Sequence, residues 1–103
     1  MDEARFDPII HAPHRLRICA MLSQAEGIEF AEIQARTELS KSALSKHLAQ
    51  LTGAGYLSEE QFVRSGRSRL MLSLTEAGRA AYAGHRKALE AILATDDSTT
   101  AAT

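Results

Sequence analysis

Apolar positions recur along this chain in two rhythms, and the rhythms divide it into elements. Over 41–52, Leu44, Leu48 and Leu51 stand at i, i+4 and i+7, one stripe of an amphipathic helix. Ser40 precedes the stripe as an N-cap residue, and Gly53 and Gly55 stop it. Leu70, Leu72 and Leu74 then alternate at period two, the spacing of a strand with one buried face. Tyr56 and Leu57 lead into an earlier strand through Val63, with a turn at Ser65-Gly66-Arg67-Ser68 between the two.

The remaining boundaries follow from caps and prolines. Asp7-Pro8 reads as an N-cap with proline at the first helical position. Pro13 cannot continue that helix without loss and opens another over 13–25. Leu16, Ile18, Cys19, Ala20, Met21 and Leu22 cover almost the whole circumference of this second helix, so it is buried on more than one side. Gly27 is expected to end it. Ile28-Glu29-Phe30 is a short extended stretch, and 31–37 a short helix with Ile33 facing inward. Glu38-Leu39-Ser40 makes a tight connection. Thr75 caps a last helix reaching to about Ala94. The fold class expected is mainly α with a small β-hairpin, an α+β chain. One domain spans 1–94, and the tail TDDSTTAAT (95–103), without a large apolar residue, is expected to be disordered.

Composition narrows the function. With 103 residues, 45% hydrophobic and 24% charged, the chain reads as a single soluble domain, without a membrane span or signal peptide, and cytoplasmic. A domain of this size buries only about 60–65% of its unfolded surface, so a dimer would help it. The single cysteine excludes paired-cysteine zinc sites. There is no glycine-rich phosphate loop, no nucleophile elbow and no spacing that forms a triad, so the chain is not expected to be an enzyme. Glu59 and Glu60 are adjacent on a strand and point to opposite faces. No cofactor is expected.

The net charge is −1, which argues against nucleic acid, but the charge is segregated. Over 40–70 five cations (Lys41, Lys46, Arg64, Arg67, Arg69) face two carboxylates, a net of three positive charges. Opposite the leucine stripe of 41–52 lie Lys41, Ser42, Ser45, Lys46 and Ala49: short side chains and long cations with no carboxylate among them. Such a helix, roughly 18 Å long at 1.5 Å per residue, fits a major groove about 12 Å wide. With Ser40 they form the candidate DNA-reading set. Arg64, Arg67 and Arg69 at the hairpin are candidates for a narrow minor groove. Strand alternation puts Arg67 and Arg69 on one face and Arg64 elsewhere unless the turn offsets it.

A hairpin straight after a helix–turn–helix is the winged-helix arrangement. FAEIQARTELSKSALSKHLAQLTGAGYL (30–57) resembles the helix–turn–helix of bacterial MarR-like and ArsR-like regulators. FDPIIHAPHRLRICAML resembles the opening of their small members, and SLTEAGRAAY their exit from the wing. The resemblance implies a DNA-binding transcriptional regulator, a repressor in the main reading, that holds a pseudo-palindromic operator as a homodimer through its terminal helices. Leu16, Tyr82, His85, Leu89, Ile92 and Leu93 are the expected interface. The thin surfaces of the last helix at Ala80, Ala83, Gly84 and Ala88 suit close helix packing. The resemblance also leaves room for an unidentified small-molecule effector in the cleft beside the terminal helices.

Blander readings stand beside these. The 41–52 surface is also what an ordinary solvated helix face looks like, and His47 beside it suits packing against a neighbouring helix better than a phosphate. Cys19 in an apolar helix suits an inert small hydrophobe better than a redox sensor. His11 and His14, three apart with His85 distant, form at best a weak metal set. His85 suits a packed, hydrogen-bonded histidine better than a pH-sensitive interface. The alternative function is a winged-helix protein–protein interaction module without a primary DNA-binding role, favoured by the negative net charge. A third is a ligand-released or oxidation-released switch.

Overall fold

Asp7 starts the first helix. Its carboxylate accepts from the backbone N–H groups of Ile9 and Ile10 at 2.9 and 3.2 Å, capping α1 (Pro8–His11). Pro13 then opens α2 (Pro13–Ser23). The computed structural model describes residues 3–102, with side chains from 3 to 94. The chain continues through β1 (Ile28–Glu29), α3 (Phe30–Thr37), α4 (Lys41–Gly53), β2 (Leu57–Arg64), β3 (Arg67–Leu74) and α5 (Glu76–Ala102). This is the element order expected from the sequence. The α5 backbone runs on past Ala94; the tail expected to be disordered over 95–103 has its side chains, and residue 103 altogether, outside the described residues.

Two local expectations are corrected. Helix α2 stops at Ser23, before Gly27. The Gln24 and Ala25 N–H groups close it onto the Met21 and Leu22 carbonyls, both at 3.3 Å, and the Arg79 guanidinium of α5 donates to the carbonyls of Ser23 and Ala25 at 3.4 and 3.0 Å. Gly27 serves close packing, since a Cβ there would lie 3.0 Å from the Met71 side chain. The hairpin is also not alone. β1 pairs antiparallel with β3, Ile28 against Leu72 and Glu29 against Met71, giving a three-stranded sheet in the order β1-β3-β2.

The sheet's inner face carries Ile28, Leu57, Leu72 and Leu74 into a core with Ile10, Ile18, Cys19, Leu22, Ile33, Leu44, Leu48 and Leu51. The leucine stripe of α4 is thus buried, as its spacing requires. Helix α5 is fixed at its start by Thr75, whose hydroxyl accepts from the Gly78 N–H. A Cβ at Gly78 would collide with the Tyr56 carbonyl, so glycine lets α5 lie directly on the entrance to β2. Among the described residues no helix is long and apolar enough to cross a membrane.

Candidate nucleic-acid interface

The turn between α3 and α4 sets the angle of the candidate reading helix. Glu38 ends α3 in the left-handed region (φ 59°), and its N–H bonds the Gln34 carbonyl. Ser40 then caps α4, its hydroxyl accepting from the Ala43 N–H at 3.1 Å. With Leu44, Leu48 and Leu51 locked in the core, Ser40, Lys41, Ser42, Ser45, Lys46 and Ala49 are all exposed. Lys41 and Lys46 have no ion-pair partner among the described residues.

The wing turn is tighter than the sequence reading had it. Only Ser65 and Gly66 lie between the strands, with φ of 53° and 74°. Positive φ at both central residues is the type I′ pattern that matches strand twist. A two-residue turn places Arg64 directly opposite Arg67 and Phe62 opposite Arg69. Directly opposed residues project from the same face. The turn therefore supplies the offset that strand alternation left open for Arg64, and it brings all three arginines to one face. The Arg64 guanidinium lies 5.2 Å from the Phe62 ring centroid. The Glu29 carboxylate, on β1, takes Arg64 at 2.8 Å with one oxygen and Arg69 at 3.5 Å with the other. Arg67 has no such partner among the described residues.

Helix and wing meet across a groove of about 360 Å³. Lys41 and Ser45 line it from α4, Gln61, Ser68, Arg69 and Leu70 from the hairpin, and Glu29 with Phe30 from the β1–α3 junction. Glu29 was not singled out in the sequence. Its place depends on the β1–β3 register, which no local pattern reveals.

The histidines pair differently from the expected set. His11 lies against His85, Nδ1 to Nε2 at 3.2 Å, whereas His14 lies near His47, ring centroids 5.3 Å apart. His47 is half-buried, 3.3 Å from an Arg15 nitrogen on α2, and burial with Arg15 and His14 nearby lowers its pKa. Its neighbours on α2, Arg15 and His14, are those of a histidine packed between helices. Cys19 is fully buried; burial, with Asp7, pushes its thiol up to about 12, which removes the thiolate a redox sensor needs.

The expected interface set divides in two. His85 has no exposed surface: its Nδ1 accepts from the Asp7 N–H at 2.9 Å and Phe6 covers the ring. It is a packed histidine inside the chain, without surface left for a partner. Leu16 and Tyr82 are half-buried against the core. Leu89 is half-buried, while Ile92 and Leu93 are 50% and 60% exposed. Gly84, expected to admit a helix, admits the chain's own N-terminal segment: the Arg5 N–H bonds the Gly84 carbonyl, and a Cβ there would sit 2.7 Å from the Glu3 carbonyl.

Comparison with known proteins agrees with this geometry. A protein of uncharacterized function from Methanocaldococcus jannaschii is 28% identical over 74 residues, covering 72% of this chain and 80% of its own. A transcriptional regulator homologue from Pyrococcus horikoshii superposes with a TM-score of 0.81 at 25% identity, over 86% of this chain and 88% of its own. A MarR-family transcriptional regulator from Porphyromonas gingivalis shares the fold, with a TM-score of 0.61 at 22% identity over 86% and 79%. The family model of the winged helix DNA-binding domain matches residues 14–93, from α2 through the wing into α5. The chain belongs to the winged helix DNA-binding domain family.

Proposed function

We propose that this chain is a transcriptional repressor that binds a pseudo-palindromic operator as a homodimer in the cytoplasm. The observation that carries the reading is the outer face of α4. Six neighbouring positions, Ser40 to Ala49, are exposed and include two unpaired lysines, three serines and no carboxylate. In the proposed complex α4 enters the major groove, where serine hydroxyls bond base edges and the lysines take guanine or phosphate. Arg64, Arg67 and Arg69 reach the flanking minor groove or its phosphates. The exposed Ile92 and Leu93 support pairing through α5. Two-fold symmetry then spaces the half-sites roughly 34 Å apart or a multiple of it. Repression would follow from occupying promoter DNA.

The test is binding to a fluorescent duplex from the DNA upstream of its own gene, for wild type, Lys46→Ala and Arg67→Ala. Saturable binding weakened in both variants supports the reading. Binding no stronger than to random duplex, and equal in all three proteins, would refute it.

A further inference from the structure

The wing holds its own anion. Glu29 pairs with Met71 across β1 and β3, and Arg69 stands two residues before Met71, on the same face. The tight turn brings Arg64 to that face from β2. One carboxylate thus spans two guanidinium groups, with Oε2 to Arg64 at 2.8 Å and Oε1 to Arg69 at 3.5 Å. The Glu29 side chain is only 21% exposed, so it is well fixed, while Arg64 at 54% remains open to solvent. The cluster is short of negative charge. Two cations share one anion, and the Arg69 Nε–H is shielded from solvent with no hydrogen-bond partner.

On the DNA-binding reading above, we infer that Glu29 is an affinity-setting residue of the wing. Its carboxylate occupies, in free protein, the guanidinium positions that a backbone phosphate takes in the complex. Arg67 and the two lysines of α4 make first contact unopposed. Arg64 and Arg69 contribute only by exchanging Glu29 for phosphate, and that exchange lowers affinity for any duplex on which the wing is poorly seated. Glu29 also remains beside the bound backbone as a like charge, which weakens every complex.

A mixed-sequence fluorescent duplex tests this without knowledge of the operator. Glu29→Gln keeps the size of the side chain and removes the charge. It is expected to tighten binding at low salt by up to about five-fold, the range for a partly exposed ion pair. It should also steepen the salt dependence by about 0.9 in log–log slope per added effective charge. Arg64→Ala should cost more affinity in the Glu29→Gln background than in wild type. A Glu29 acting only as a strut for the wing gives the opposite result, weaker or unchanged binding in Glu29→Gln, and would overturn the inference. Wild-type protein supplies a readout that needs no variant. The Glu29 side-chain carboxyl carbon resonance should shift on adding duplex, and a resonance that stays in place while the wing amides shift also overturns it. Failure of the DNA-binding reading itself looks different: wild type, Lys46→Ala and Glu29→Gln would all lack salt-dependent binding.

Discussion

The Tyr56 hydroxyl donates a 2.5 Å hydrogen bond to the Asp7 carboxylate, joining the start of α1 to the entrance of β2 across 49 residues of sequence. The other carboxylate oxygen of Asp7 caps α1, and its N–H reaches His85 on α5. Asp7 therefore couples three elements that a local reading treats separately. Tyr56→Phe should destabilise the domain by about 1.5–3 kcal/mol, the range for a hydrogen bond to a charged group, measured by urea unfolding. The bond raises the Tyr56 pKa from 10.0 to about 12. A raised pKa means the contribution is complete below pH 10.0 and is lost as pH rises toward 12. Wild type should lose its advantage over Tyr56→Phe across that window, and an advantage that stays constant through it would argue against the bond.

His85 sets the acid limit. Its Nδ1 accepts the Asp7 N–H, so the neutral ring carries its proton on Nε2 and donates to His11 Nδ1. Protonating Nδ1 would bring two donors face to face. Burial, then His11, lower its pKa below 6.5, with Asp7 opposing. A lowered histidine pKa means stability falls as pH drops through 6.5 toward the folded-state value. His47, also lowered, adds in the same direction. The melting temperature should decline over that range. Nitrogen chemical shifts at neutral pH should show His85 unprotonated at Nδ1, and a proton found there would contradict the assigned network.

Two glycines separate packing from propensity. Gly78→Ala forces a methyl into the Tyr56 carbonyl, a backbone group that cannot turn aside, and should cost about 3 kcal/mol. Gly53 closes α4 with open space where its Cβ would stand. Gly53→Ala should stabilise by about 0.5–1 kcal/mol. Equal effects of the two substitutions on the unfolding midpoint would contradict the α5–Tyr56 contact.

Glu38 holds φ 59° without being glycine. Relieving that conformation with Glu38→Gly should stabilise the helix–turn–helix by about 1 kcal/mol in urea unfolding while leaving duplex affinity intact. A loss of stability would mean the carboxylate does more in the turn than tolerate it.

What the sequence made legible was local. Ser40 as a cap, the Leu44-Leu48-Leu51 stripe and the exposed polar face opposite it all follow from spacing within a few residues, and the structure places them as expected. The wing was legible as a hairpin, but the face of Arg64 was not. That face depends on whether the turn takes an even or an odd number of residues, since one residue of register reverses every side chain. Gly27 read as punctuation and Gly84 as thin helix surface, yet each is defined by a distant contact: Met71 and Glu3. His85 looked like part of an outward stripe because periodicity cannot say that the N-terminal segment folds over it. Glu29 gave no signal, since its partners come from two other strands.

The central claim is that the exposed cations of α4 and the wing meet phosphates, and salt dependence tests it most directly. Binding of wild-type protein to duplex from upstream of its own gene would be followed across a salt series. With about four phosphates neutralised by each protomer of a dimer, log K should fall against log salt with a slope of about −7. A slope near zero would contradict the account, because binding without counterion release cannot be made by the lysines of α4 and the arginines of the wing.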